Sequence, residues 1–248
     1  MRYGLIADIH SNIEAFEAVL AHAQGQGVAR LLLLGDLIGY GADPQAVLER
    51  CMQLVETQQA VAILGNHDAL ACGRAPCEMN EDAQMAIDWT RGQLKPRHTQ
   101  FLLRLPLSYR EEHMFCVHAS AVEPESWTYV STGHDAEACL SAAQADWVFS
   151  GHVHDPTLYY SGRDEHMFAF RPTENIPVPV PNHRSWLAIV GSCGQPRDRQ
   201  VGARYAVFDS IQQKLTFFRV PYDHHAAAEK IRAAGLPSRL ALYLEGKA

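Results

Sequence analysis

Apolar runs that switch abruptly to polar residues set the pattern of this chain. "GLIADIH" (4–10) ends in Asp8 and His10, "LLLLGD" (31–36) ends in Asp36, and "AVAILGNHD" (60–68) ends in Asn66, His67 and Asp68. A turn has use for Gly or Asn, but not for His followed by Asp. Before each switch the pattern predicts a strand: over 2–7, 30–34 and 60–64. Between them it predicts helices over 12–26, where Ile13, Phe16 and Leu20 share a face, and over 44–56. Short apolar strands alternating with helices imply a largely parallel sheet covered on both faces.

The second half changes character. Residues 114–118 and 146–150 form two further apolar runs, expected as central strands with a helix over about 134–143 between them. Then come 157–161, 166–170, 186–191, 204–209 and 214–220, closely spaced and partly alternating, the pattern of a second sheet. The expected fold is α/β, a four-layer α/β/β/α sandwich of two packed mixed sheets flanked by helices, in a single domain over 1–248. The segment 171–184, with Pro172, Pro177, Pro179 and Pro181, is expected as a surface loop, and 223–246 as one or two closing helices.

Helix starts sharpen the placement of the polar switches. Ser11 and Glu14 have the spacing of a capping box, and Asp43-Pro44 that of an N-cap followed by proline at the first helical position. Both helices would therefore begin beside strand ends that carry polar residues. Helix N-termini favour anions, and open α/β sheets bind ligands at the C-terminal ends of their strands.

Composition narrows the classes. The chain has 248 residues, is 47% hydrophobic and carries a net charge of −7 with no block of Lys or Arg. That argues against stable nucleic-acid binding, which needs a basic stripe, but not against a small phosphorylated substrate. No run approaches the 18 or so apolar residues of a membrane span, so no membrane partner is expected. Asp8–His10 falls where a secretory signal would be apolar, and a cytoplasmic location is expected. The cysteines at 51, 72, 77, 116, 139 and 193 form no CxxC pair and are expected as reduced thiols; Cys72 and Cys77 are the one pair weighed as ligands. Thirteen histidines are more than a solvated surface needs, which points to ligation.

Collected in order, the strand-end residues are Asp8, His10, Asp36, Asn66, His67, His118, His152 and His154. Two carboxylates, five imidazoles and a carboxamide are too many for one tetrahedral zinc, and a structural zinc would use thiolates. Two adjacent metals fit better, with Asp36 the best candidate for a bridge. Mixed N/O donors suit Mn, Fe or Zn and are too rich in imidazole for Mg or Ca alone. Gly35, Gly65 and Gly151 each precede a candidate ligand and let the backbone turn close to it.

Five blocks in this order, D-x-H (8–10), G-D (35–36), G-N-H-D (65–68), V-H (117–118) and G-H-V-H (151–154), resemble the calcineurin-like metallophosphoesterases, of the prokaryotic small-phosphodiesterase or phosphatase type. "GSCGQPRD" (191–198) is more loosely similar to the C-terminal part of prokaryotic members. The resemblance implies one metal held by Asp8, His10, Asp36 and His154 and a second held by Asp36, Asn66, His118 and His152. It implies two-metal hydrolysis of phosphate esters by a hydroxide between the metals. His67 would face the substrate and, as general acid, protonate the leaving oxygen. The protein Ser/Thr phosphatases of this superfamily carry G-D-x-V-D-R-G, whereas "GDLIGYG" (35–41) has Gly39 and Tyr40 where Asp and Arg stand. Phosphodiesters or small phosphorylated metabolites are therefore the expected substrates. A phosphoprotein phosphatase, a dinucleoside polyphosphate hydrolase and a non-catalytic metal-binding scaffold are the alternatives. A metallo-β-lactamase-like site is excluded, because "HVHDPT" (152–157) has its Asp one place early and lacks the third His.

Further candidates lie outside the blocks. Asn12, at the start of the first helix, and Arg197, in the C-terminal loop, are candidates for binding substrate phosphate. Tyr40 is expected as pocket wall, with Trp127 and Tyr129 as lining of the cleft or cover of the core. His22, His98, His113, His134, His166, His183, His224 and His225 are expected at the surface. Specificity is expected from 69–110, 119–145 and 171–200, which carry no base-reading or sugar-reading pattern.

Overall fold

The computed structural model describes residues 1–74, 79–162 and 166–248. Along these the strands are β1 (Arg2–Ile6), β2 (Arg30–Leu33), β3 (Ala60–Ala62), β4 (Ser108–Glu111), β5 (Met114–Val117), β6 (Trp147–Ser150), β7 (Thr157–Ser161), β8 (Met167–Phe170), β9 (Val178–Pro179), β10 (Trp186–Ile189), β11 (Ala203–Asp209) and β12 (Lys214–Val220). The helices are α1 (Ile13–Gly25), α2 (Pro44–Glu56), α3 (Asn66–Cys72), α4 (Glu81–Gln93), α5 (Pro96–Arg104), α6 (Gly133–Ala143), α7 (His224–Ala233) and α8 (Ser238–Leu244).

The strands follow the order β3-β2-β1-β11-β12-β9 in one sheet and β4-β5-β6-β10-β7-β8 in the other. Strand residues point alternately to opposite faces. Leu5, Leu32 and Leu34 meet Trp147, Phe149 and Phe208 in the core between the sheets, while Ile6, Leu31 and Leu33 pack outward with Phe16 and Val19 of α1. Phe208 of the first sheet lies 5.1 Å from both Trp147 and Phe149 of the second, measured between ring centroids. Val148, Leu187 and Ile189 turn the outer face of the second sheet onto Cys139 and Leu140 of α6. These are the four layers expected. The inner strands are buried on both faces, which is why they are continuous apolar runs rather than alternating ones.

Strand partnership differs from a division by halves. β11 and β12 join the first sheet, β11 running antiparallel beside β1, while β5 and β6 belong to the second. A run buried on both faces carries no mark of its neighbour, so long-range pairing alone decides its sheet. The proline-rich loop contains β9, where Val178 and Pro179 pair with Leu215 and Lys214; Pro is tolerated there because the strand is an edge. Helices α4 and α5 and strand β4 had no counterpart in the expected elements. The buried face of α4 is Ala83, Ala86, Ile87 and Thr90, too weakly apolar to register as a periodic stripe. Among the described residues no helix is long and apolar enough to cross a membrane.

Two local expectations fail. Ser11 does not cap α1; Asn12 does, accepting from the Ala15 amide at 3.1 Å, while Ser11 Oγ accepts from the Gly39 amide. His98 is fully buried rather than at the surface, its Nε2 2.6 Å from Glu49, where it ties α5 to α2. Cys77 lies outside the described residues, and the other five cysteines are free thiols.

The topology gathers the polar switches. β1, β2 and β3 run parallel in one sheet, and β5, β6 and β10 in the other. The loops beyond their ends are stitched together: Asp8 N donates to Gly35 O (3.1 Å), Gly151 N to His118 O (2.9 Å), and Cys193 N to Ala7 O (2.9 Å).

Candidate metal centre

Asp8 and His10 follow β1, Asp36 follows β2, Asn66 and His67 open α3 after β3, His118 follows β5, and His152 and His154 follow β6. All eight are buried and converge between the two sheets. Asp36 is central: its Oδ2 lies 3.3 Å from His118 Nε2, 3.7 Å from His10 Nε2 and 4.0 Å from His67 Nε2. Its Oδ1 accepts from the His67 amide at 2.9 Å. Asp8 Oδ1 lies 3.5 Å from His154 Nε2, and both Asp8 oxygens accept from the His152 amide. Asn66 Oδ1 is 3.1 Å from His118 Nε2.

The proton inventory shows what this cluster lacks. His10 Nδ1 faces the Ile38 carbonyl at 3.3 Å, and His154 Nδ1 faces the Gln195 carbonyl at 2.7 Å. Carbonyl oxygens only accept, so both Nδ1 atoms carry hydrogen and the neutral rings leave both Nε2 atoms bare. Those two Nε2 atoms lie 3.1 Å apart. Burial holds both imidazoles well below their ordinary pKa, reinforced at His10 by His67 and at His154 by Arg197, so a bridging proton is disfavoured. Two lone pairs aimed at each other in a buried site call for a cation between them. His152 Nε2 is also buried without a hydrogen-bond partner among the described residues. Backbone carbonyls fixing Nδ1–H and freeing Nε2 are the outer contacts a metal-ligating histidine uses.

The donors divide into sets whose ligand atoms lie within 4.8 Å of one another: Asp8, His10 and His154; Asp36, His118 and His152; and His10, Asp36 and His67. The first two fit a pair of divalent metals sharing this edge. His118 behaves differently from the other rings: burial lowers its pKa, but the Asp36 carboxylate, and then Asp8, overcome that and raise it to about 9. In protein stripped of metal, a proton on His118 would stand in for part of the metal charge. Asp8 is pushed up to about 7 by burial, which outweighs the lowering pull of His118 and is joined by a smaller push from Asp36.

The backbone here is strained. Asp8, His10, Asp36, His152 and His154 all have φ between 48° and 69°. Each non-glycine residue in that left-handed region costs on the order of 1–3 kcal/mol and persists only where its surroundings over-determine it. Asp68 supplies part of that constraint: its carboxylate accepts from the amides of Leu37 (3.2 Å), Ile38 (3.1 Å) and Gly65 (3.0 Å), latching the loop after β2 to the loop after β3. Gly65 allows the close approach, since a Cβ there would sit 2.2 Å from Asp36 Oδ1. No role was expected of Asp68; its place three residues after Gly65, at the start of α3, was the available signal.

The remaining candidates separate. Asn12 is buried with both amide ends engaged: Oδ1 caps α1, and Nδ2 donates to Gly194 O (2.9 Å) and Tyr222 Oη (3.2 Å). Arg197 is exposed at the rim, donating to Tyr40 Oη at 3.3 Å, and carries no carboxylate partner among the described residues. Its neighbour Asp198 accepts from Arg204 and Arg219, which anchors the loop. Tyr40 packs its ring 4.5 Å from His10 and 4.4 Å from His67. His67 Nδ1 is buried without a partner among the described residues, 2.4 Å from where a Cβ on Gly39 would stand. Burial pushes His67 down to about 4 despite the Asp36 carboxylate.

A family model described as the calcineurin-like phosphoesterase superfamily domain matches residues 1–213. An uncharacterised protein of Methanocaldococcus jannaschii is 31% identical over 241 residues, covering 95% of this chain and 94% of that protein. A metallophosphoesterase from Sphaerobacter thermophilus has a similar crystal structure, with TM-score 0.86 and 32% identity, covering 100% of this chain and 99% of that one. A hypothetical protein from Pyrococcus horikoshii shares the fold, with TM-score 0.79 and 20% identity, covering 100% and 99%.

Two outcomes follow from this centre. Asp68→Ala strands three buried amides and is expected to cost at least about 3 kcal/mol in urea unfolding and to speed metal loss; an unchanged midpoint with unchanged metal retention contradicts the latch. His118, raised from its ordinary 6.5 to about 9, stabilises the metal-free fold fully below the lower value and loses that contribution as pH rises through the upper one. Between pH 7 and 9.5 the melting temperature of stripped protein should therefore fall more steeply than that of metal-loaded protein, where ligation has already displaced the proton. Parallel curves contradict it.

Proposed function

The chain belongs to the calcineurin-like phosphoesterase superfamily and is a metal-dependent phosphoester hydrolase; on that premise we propose that it hydrolyses phosphodiesters or small phosphorylated metabolites at a two-metal centre. Asp8, His10, Asp36 and His154 would hold one ion, and Asp36, Asn66, His118 and His152 the other. The observation that carries this is the pair of bare imidazole nitrogens of His10 and His154, 3.1 Å apart in a fully buried site. When bound, two divalent metals, with Mn, Fe or Zn better suited to these donors than Mg, supply Lewis acidity toward phosphoryl oxygens and lower the pKa of water.

The protein's own residues do the rest. The carbonyls of Ile38, Leu34 and Gln195 fix the ring orientation of His10, His118 and His154 through Nδ1. Arg197, unpaired with any carboxylate among the described residues, grips a phosphoryl oxygen from the rim. His67 delivers a proton to the leaving oxygen. In the free protein that ring is neutral, so its proton is taken up with the substrate, whose anionic phosphoryl group raises the ring's proton affinity. Gly39 supports a non-protein substrate, because the His67 ring occupies the space where the side chain of an Asp would stand.

Turnover of phosphodiester and phosphomonoester panels with Mn, Fe, Zn and Mg tests the reading; sustained failure of fully metallated protein favours a non-catalytic scaffold. His67→Ala is expected to lower kcat on esters with poor alkoxide leaving groups by roughly 10²–10⁴-fold, and far less on a nitrophenyl ester. Equal losses on both, or none, at normal metal content rule out the acid role.

A further inference from the structure

A cleft of about 350 Å³ adjoins the metal centre through residues that border both. Tyr40 lines it, and the same ring packs against His10 and His67. Gln195 lines it too, and its carbonyl fixes the His154 ring. Arg197 stands beside them. The rest of the lining includes Glu81 and Asp82 from the first turn of α4 and Arg239 and Tyr243 from α8. None of the candidate metal ligands comes from α8, so the metal chemistry does not require that wall.

The two arginines are held in the same way. The Arg197 guanidinium lies 6.0 Å from the centre of the Tyr40 ring, and that of Arg239 lies 5.7 Å from the Tyr243 ring. Among the described residues neither pairs with a carboxylate, whereas Arg204 and Arg219 share Glu174 and Asp198. A ring face steadies the charge without using N–H donors, and a guanidinium has five of them in a fork that suits an oxyanion. The helix carrying Arg239 is anchored. Leu240, Ala241 and Leu244 share a core with Tyr40 and with Ala83 and Ala86 of α4, and Arg232 of α7 bonds Glu245 at the end of α8. Arg239 and Tyr243, four residues apart, fall on one side of the helix.

The arginines divide the work. Arg197 is close enough to the centre that, after burial, its charge helps to keep protons off His10, His67 and His154. Arg239 has no such part in the centre. We infer that Arg239 is a specificity-determining residue that binds a second oxyanion, a phosphate or a carboxylate, carried by the substrate beyond its scissile phosphoryl group. The inference rests on the reading of the site as a phosphoesterase centre and narrows its substrates to esters with two anionic ends. Glu81 and Asp82 oppose that anion. Their place in the first turn of α4 is explained by the helix dipole, so they moderate the subsite rather than define it.

Primary alkyl phosphates of graded length, ending in a hydroxyl, a carboxylate or a second phosphate, test it. A primary alkoxide departs from each, and only the far end differs. At the best length, Mn-loaded wild type is expected to prefer an anion-ended ester over its hydroxyl-ended partner by about tenfold or more in kcat/KM. The larger preference, for carboxylate or for phosphate, identifies the group. Arg239→Gln should bring the ratio close to one, and the double variant Glu81→Gln, Asp82→Asn should raise it. A ratio near one at every length in wild type, a ratio that survives Arg239→Gln, or one that falls when Glu81 and Asp82 are neutralised overturns the inference. Equal slowing of both esters by Arg239→Gln would show that the residue only supports the fold, which also overturns it. Calorimetric affinities for the same pairs give the ratio without turnover. Absent hydrolysis with a binding ratio that depends on Arg239 therefore counts against the proposed function and not against the subsite.

Discussion

The centre of this fold is an electrostatic problem that the polypeptide creates and does not solve alone. Backbone carbonyls claim the Nδ1 hydrogens of His10, His118 and His154. The Nε2 atoms of His10 and His154 are left facing each other without a proton, His152 Nε2 has no partner among the described residues, and Asp8 and Asp36 share the same buried space. A buried polar atom left unsatisfied costs about 1–3 kcal/mol, and ions cost more. One proton on His118 offsets part of this in the metal-free protein. Positive charge supplied from outside offsets the rest, which makes metal occupancy a term in the stability of the fold as well as in its chemistry.

Everything around the centre serves to impose that arrangement. Five candidate ligands are held at positive φ, which loops left to themselves would relax. The restraint comes from outside those residues. Asp68 fastens two loops to each other, Gly65 lets them close, and the amides of Cys193 and Gly194 bond to the carbonyls of Ala7 and Asp8, tying the second sheet to the first. The bonds from Asp68 to the amides of Leu37 and Ile38 and those from Cys193 and Gly194 to Ala7 and Asp8 span long sequence separations, and the latter pair joins the two sheets, so the site is assembled only when both sheets are in place.

The sequence made the centre legible because its chemistry is concentrated at strand ends. Apolar runs that stop at Asp8, Asp36, Asn66, His118 and His152 mark both the strands and the edge at which ligands gather. Parts governed by long-range geometry were not legible. Nothing in the apolar run at 204–209 marks it as the antiparallel neighbour of β1. The alanine-lined face of α4 is too weak a periodic signal. Asn12 capping α1 in place of Ser11 depends on Ser11 being drawn toward the Gly39 amide, a contact across 28 positions. His98 looks like a surface histidine until Glu49 is brought beside it by helix packing.

Elemental analysis of the desalted, Mn-reconstituted protein, set against a His10→Ala, His154→Ala double variant shown to be folded, measures the central electrostatic claim most directly. Two equivalents of metal per wild-type chain, with at least one lost in the variant, is the predicted result. Wild-type protein that holds only trace metal, or a variant that retains both equivalents, would contradict it.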